Sequence, residues 1–444
     1  MSNDAPVSAG EPVRADASPV ATGYRTYVLV ILTLVYVVNY LDRQILGILM
    51  PQIQKEFSLT DADLGLLGGT AFAVLYAVLG VPIAVIADRV NRRNVVAISL
   101  TVFSFMTLIS GYAAQFWQLL LARFGTGIGE AGTGPSINSM ISDLYPPEKR
   151  ASALTFYSAG LNVGLFVGFF GGGWIAQHYG WRTALVAAGI PGLLLAILVM
   201  TTVTEPKRGN ADRMVDDGVA PGVWAVAKYL WSLKSIRWLA IGTSMSSFGG
   251  YAGIFLIPKF LIVSHHMTLV QVSVALALLT GIPGALGTFL AGVLADRYGK
   301  RDMRWYLYIP IIATFLSVAF APVFYLSQST PIALAAAIVP VMMGATYVGP
   351  GFAMTQGLVP LRMRAQSVAI LLFVLNMIGL GLGPLTIGYI SDLLKPAYGA
   401  DSLRYALMFS IVTGLIGAFC YWRSSRHLPA EWNKVRAQQL AEAG

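Results

Sequence analysis

From Tyr27 to Trp422 the chain alternates long apolar blocks with short polar ones. Each block is about 20 residues, the length at which a helix rising about 1.5 Å per residue crosses a hydrocarbon core of roughly 30 Å. Twelve blocks meet that length, at roughly 27–51, 64–87, 94–114, 117–141, 151–175, 182–203, 238–262, 269–294, 305–326, 331–356, 367–391 and 403–422. The pattern predicts an all-α membrane protein with twelve transmembrane helices. The first is expected to turn at Pro51, and Thr60 or Asp61 is expected to cap the second.

The polar stretches divide the chain further. Residues 1–25 are expected to be a disordered tail, rich in Pro, Ala and Ser and without the apolar core of a signal peptide. Residues 26–204 and 238–423 then form two six-helix bundles, 205–237 a middle loop, and 424–444 a second tail. Within the loop, VWAVAKYLWSLKSIRW sets lysines among Trp and Leu at helical spacing, the mark of an interfacial helix.

Composition narrows the class. A chain that is 56% hydrophobic, 11% charged and has a mean hydropathy of +0.66 is too apolar for a water-soluble globule. The net charge of +9 invites a nucleic-acid partner, yet most Lys and Arg fall in the tails and the even-numbered connections. That distribution marks a cytoplasmic side, so both termini are expected there, in the cell membrane or, for a bacterium, the inner membrane. With no basic soluble domain, nucleic-acid binding is excluded. Neither a cofactor nor a metal is implied. The single Cys420 forms no disulfide framework, and the four histidines lack metal-binding spacing, His265 and His266 reading as solvated loop residues.

Charges inside the apolar blocks stand out, because each costs roughly 2.5 to 3.5 kcal/mol at the bilayer centre. In the first helix Asn39, Asp42 and Arg43 lie at i, i+3 and i+4, on one side of the rod. In the fourth, Arg123 and Glu130 are seven residues apart, on one face about two turns apart. A desolvated carboxylate beside an arginine is the chemistry of a proton switch. A permanently ion-paired structural glutamate is the alternative. Glu130, among small residues, is the expected proton carrier. Asp42, which keeps Asn39 as a hydrogen-bonding neighbour, is the second candidate. In the fifth helix Gly160, Gly164, Gly168 and Gly172 form a smooth stripe for packing. The seventh offers Ser247, Phe248 and Tyr251, and the tenth Tyr347, as an uncharged polar and aromatic wall.

A motif then repeats. AVIADRVNRRN follows the second helix with Asp88, Arg89 and Arg93, and GVLADRYGKRD follows the eighth with Asp296, Arg297, Lys300 and Arg301. Arg150-Ala151 and Arg364-Ala365 agree with a similar offset, as do Asn162 and Asn376, so the halves are repeats. Each loop aspartate can cap a helix N-terminus of the opposite half and pair with a loop arginine. Together with Asp143 these residues are the expected cytoplasmic gate.

The repeated G-x-L-A-D-R-x-G-K-R pattern resembles the major facilitator superfamily, with Ala84 and Asn91 replacing the two glycines in the first copy. YLDRQ, LTDADLGLL, ARFGTGIGEA and GWR narrow the resemblance to its Spinster-like branch of sphingolipid and lysophospholipid transporters. The resemblance implies two pseudo-symmetric bundles rocking about a central site and brings the first and fourth helices together around it. It also implies a secondary transporter, not an enzyme. The expected cargo is an amphipathic, lipid-like or anionic small molecule, coupled to protons, in a monomer surrounded by membrane lipids. Substrate binding or charge relay would fall to Arg43, Arg123, Asn39, Ser247, Phe248, Tyr251 and Tyr347. Anion-cation symporters share a similar first-helix Tyr-x-Asp-Arg and fourth-helix Glu-Ala, leaving proton-coupled transport of small organic anions as the alternative. A channel or a membrane enzyme is more distant, since no nucleophile-base arrangement accompanies the charges.

Overall fold

The computed structural model describes residues 22–87, 90–206, 222–360 and 363–443. The first tail up to residue 21, and with it part of the middle loop, lies outside the described residues. Nine continuous described helices are long and apolar enough to cross a membrane. The difference from twelve has local causes. Pro147–Thr202 is one helix by hydrogen bonding but reverses at Gly180, whose φ of 84° suits a residue without Cβ. The eleventh and twelfth spans are likewise joined through the turn at Gly399. The fourth span is split into Phe116–Glu130 and Thr133–Leu144, each too short alone. With these resolved, the chain forms twelve spans in two pseudo-symmetric halves.

The first span is Thr22–Phe57, and it passes straight through Pro51 rather than turning there. Proline removes one backbone donor, a loss that neighbouring helices can make good inside a membrane protein. The turn comes after Phe57, at Ser58 with a φ of 53°. Thr60 then caps the second span through a capping box with Asp63, and Thr268 caps the eighth with Gln271. The two caps stand the same distance apart as the two ADR motifs. A π-helical segment interrupts the second span at Leu66–Thr70, the eighth at Thr280–Gly284 and the eleventh at Asn376–Leu382. The seventh span, Lys234–His265, follows a short loop helix, Val223–Ser232. The last helix continues from Phe409 to Ala443.

The glycine stripe of the fifth span lies against the first. A Cβ on Gly164 would stand 2.5 Å from the Val37 carbonyl oxygen, and Gly160 and Gly168 meet Thr33 and Leu41 in the same way. Close backbone approach is what small residues supply where lipid offers no hydrophobic drive for association.

Both termini of the bundle share one face with the even-numbered connections; the odd-numbered connections share the other. At the odd-loop end one apolar core joins the halves, through Leu49, Phe72, Phe169, Phe255, Phe260 and Ile387. At the even-loop end each half packs on its own, around Leu32, Phe103 and Met140 in the first and Leu239, Leu358 and Tyr421 in the second. His265, expected in solvent, is buried at the end of the seventh span beside Phe260, with Nδ1 3.2 Å from Thr330 Oγ1; His266 takes the left-handed C-cap.

Candidate functional site

The charges of the first and fourth spans meet inside the first half, and their pairing is crossed. Arg43 reaches Glu130 Oε2 with Nε and Nη2, both at 2.5 Å, while Arg123 Nη1 stands 3.5 Å from Asp42 Oδ2. Each acid is held by the arginine of the other helix. The helix break explains the geometry. Glu130 is the last residue of Phe116–Glu130, and Thr133, one turn beyond, donates its hydroxyl to the Glu130 carbonyl at 2.9 Å. Asn39 therefore does not bond Asp42 as expected. Its Nδ2 donates to Thr133 Oγ1 at 2.8 Å, and Thr107 of the third span, Arg92–Ser110, supplies the hydroxyl on Asp42.

Asn39, Asp42, Arg123 and Glu130 are all buried, and only Arg43 keeps some exposure, with 16% of its side chain accessible. Satisfaction is incomplete. Asn39 Oδ1, Asp42 Oδ2, Arg123 Nε and Glu130 Oε1 have no hydrogen-bond partner among the described residues. Asp42, Thr107, Ser110, Arg123 and Thr126 border a cavity of about 20 Å³, room for one water. The two guanidiniums share an aromatic ring, each carbon centre lying 4.8 Å from the centroid of Phe72, and Arg43 also lies 4.8 Å from Tyr76. Flat cation–π contact lets an arginine remain charged where water is scarce.

Across from this cluster stand tyrosines of the second half. Tyr251 hydrogen-bonds Asn376 Oδ1 at 3.3 Å and lies within electrostatic reach of Arg43, as do Tyr40 and Tyr76. Tyr347 sits beside Tyr251 and Ser247. Ser247 is pinned to backbone, donating to Ser244 O at 2.9 Å, and Phe248 belongs to the core that joins the halves. The tenth span breaks between Thr330–Met343 and Val348–Gly357, at the place equivalent to the break after Glu130. Gly344 stands there in place of the acid, at the offset that relates Arg150 to Arg364.

The expected gate residues are dispersed. Asp88 and Arg89 lie outside the described residues. Arg93 and Asp143 belong to a cluster within the first half: Arg92 bonds Asp143 Oδ2 at 2.5 Å and Glu205 Oε1 at 2.7 Å, and Glu205 also accepts the Arg93 backbone N–H. Asp296 and Arg297 are exposed in the last turn of the eighth span, and Lys300 and Arg301 on the turn that follows it.

A carboxylate capping a helix of the opposite half does occur, at the odd-loop end. Asp392 of the eleventh span accepts the backbone N–H groups of Asp61 and Ala62, at 3.0 and 2.8 Å, where the second span begins. Asp61 pairs with Lys259 of the seventh span and accepts from Gln54 and Ser391, both at 2.7 Å. Among the described residues this is the one ion pair between the halves. The backbones cross closely beside it, since a Cβ on Gly388 would stand 2.2 Å from Asp61 O. Sequence reasoning missed this closure, though Lys259 within GIFLIPKFLIV signalled it: a charge in an apolar run needs an acid. Phe72 and Tyr76 gave no such signal, because aromatics at i and i+4 equally mark a lipid-facing surface.

A sequence profile of the Major Facilitator Superfamily matches residues 32–384. The chain is 33% identical over 396 residues to an "MFS-type efflux pump" of Mycolicibacterium smegmatis (strain ATCC 700084 / mc(2)155), covering 89% of this chain and 91% of that one. It is 28% identical over 438 residues to the mouse (Mus musculus) "Sphingosine-1-phosphate transporter SPNS2", covering 92% and 78%. A crystal structure of a bacterial homolog to the human lysosomal transporter Spinster, described as inward-facing and unoccupied, superposes with a TM-score of 0.85 at 29% identity, covering 93% of this chain and 99% of that one.

Proposed function

The chain belongs to the Major Facilitator Superfamily of membrane transport proteins, and on that premise we propose that it carries an amphipathic, lipid-like organic molecule across the cell membrane by alternating access, coupled to protons. The observation that carries this reading is the buried four-charge cluster, in which Asp42 Oδ2 and Glu130 Oε1 both lack a hydrogen bond among the described residues, Asp42 Oδ2 keeping the 3.5 Å ion pair to Arg123. With both acids ionised the cluster is neutral. A proton arriving at Oε1 makes it positive and weakens the grip of Glu130 on Arg43. Arg43, already the most exposed of the four, then turns its fork to an anionic head group, which it can bind bidentately. The tyrosines around it give the uncharged remainder of an amphiphile a surface that is apolar with polar tips.

The names of two relatives, an efflux pump and a sphingosine-1-phosphate transporter, are compatible with an organic amphiphile. Both termini are assigned to the cytoplasm by the Lys and Arg distribution, which turns the odd-loop end outward. Closure through Asp61, Lys259 and Asp392 then corresponds to a state shut on its outward side. The rocking units are 26–204 and 238–423.

Reconstituted in liposomes, the protein should exchange a labelled lysophospholipid or sphingoid phosphate in counterflow, and an imposed pH gradient should drive net accumulation. Counterflow that ignores the gradient would remove the proton from this scheme. Absence of counterflow with every amphiphile, alongside exchange of small carboxylates, would overturn the substrate class.

A further inference from the structure

The two motif loops occupy equivalent places in the halves, and their basic residues meet opposite fates. In the first half Arg92 is among the most fully buried large side chains of the protein, held by Asp143, Glu205, Ser139 and the Pro206 carbonyl. At the offset between the ADR motifs its counterpart is Lys300, next to Arg301. At the offset between Arg150 and Arg364 the counterpart of Asp143 is Gly357. No carboxylate stands there. The Trp432 indole covers that glycine so closely that a Cβ would lie 2.4 Å from the ring.

Lys300, Arg301 and Arg304, with Tyr306, Trp432 and Asn433, line a cavity of about 610 Å³ at the even-loop face. None of the three cations forms an ion pair among the described residues. The one acid in the lining, Asp302, accepts the Arg304 backbone N–H at 2.9 Å, where the ninth span starts at Trp305. Three like charges around one space repel, and the symmetry-related site shows how the fold answers this: with anionic oxygens.

We infer that this cavity binds a phosphate-bearing anion, whose oxygens take the place that Asp143 and Glu205 hold in the other half. Arginine forks and a lysine ammonium suit a phosphate, and the space is large enough for a glycerophosphate group. Tyr306 and Trp432 give the lining the mixed character of an interface between head groups and acyl chains. The phosphate comes either from an anionic phospholipid or from a soluble phosphate ester. Either would tie the last helix to the loop between the eighth and ninth spans. That helix also carries Glu431, which accepts the backbone N–H groups of Lys234 and Ser235 at the start of the seventh span.

Purified full-length protein in detergent provides the test, by thermal shift and native mass spectrometry with phosphatidylglycerol, glycerol 3-phosphate and, as the phosphate-free control, diacylglycerol. Saturable stabilisation by phosphatidylglycerol alone supports a lipid phosphate. Stabilisation by glycerol 3-phosphate as well supports a soluble ester. In either case the Lys300→Gln/Arg304→Gln protein should bind at least tenfold more weakly. The Asn433→Asp protein, which keeps every base and adds a carboxylate at an exposed position, should also bind more weakly while melting no lower without ligand. Wild-type affinity in Asn433→Asp, or equal stabilisation by diacylglycerol, would overturn the inference.

Discussion

Arg43 and Glu130 set the energetics at the residue scale. A buried ion pair gains little over an apolar pair, but removing one partner strands a charge and costs about 3–5 kcal/mol. Arg43→Ala should therefore destabilise the protein strongly, and it also removes the contacts to Phe72 and Tyr76. Adding Glu130→Gln should restore much of the loss, because the neutral amide no longer needs a counter-charge. Melting temperatures of the two single variants and the double variant check this. Substrate affinity of Arg43→Ala should remain at least tenfold weaker even in the rescued background, since a charge-assisted bond to the head group is worth about 1.5–3 kcal/mol. Glu130→Gln alone mimics the protonated acid. It should retain counterflow and lose the response to pH gradients; a normal response would transfer the proton to Asp42.

At the scale of elements, the contact between the first and fifth spans rests on absent side chains. Gly164→Val places methyl groups where the Val37 carbonyl lies 2.5 Å from the new Cβ, so the helices must separate. Overpacking of this kind costs about 1–3 kcal/mol. Gly134 is the control, helical but with nothing within 4 Å of its would-be Cβ. Alanine there should leave the melting temperature equal or higher, as helix propensity favours it by up to about 1 kcal/mol. Equal losses at both sites would mean that backbone flexibility, not contact, governs the stripe. The breaks in the fourth and tenth spans are the other element-level device. Ending the helix at Glu130 puts Thr133 under it and frees the acid to face the first span.

For the molecule as a whole, the distribution of closure matters most. One core and one charged hub join the halves at the odd-loop end. Asp392→Asn removes a charge from the N-terminus of the second span, a contribution of about 0.3–2 kcal/mol. Lys259→Met removes the partner of Asp61. Both variants should move the resting population toward opening at that end, by about 2- to 30-fold for Asp392→Asn. A cysteine at Leu385, which faces Gly65 across the interface, reports the change in a Cys420→Ser background. An impermeant thiol reagent added to intact cells should label it faster in both variants. Unchanged labelling would leave the apolar core as the whole closure.

Much of this was legible in the chain because it depends on local quantities. Block length fixed the number of spans, since crossing a given thickness of hydrocarbon demands a given number of helical residues. The repeat was visible because both halves place ADR and Arg-Ala at matching positions, and the cost of a charge in lipid singled out Asp42, Arg43, Arg123 and Glu130. Spacing on one helix says nothing about the neighbouring one. Only the tertiary structure paired Arg43 with Glu130, moved Asn39 from Asp42 to Thr133, and set Phe72 against two guanidiniums. It alone showed the helix-capping carboxylate at the odd-loop end, on Asp392, where sequence reasoning had looked to the motif loops. An ion pair between the halves is a long-range choice among several acids and bases, decided by which backbones approach closely enough, and that approach is set by packing over the whole bundle.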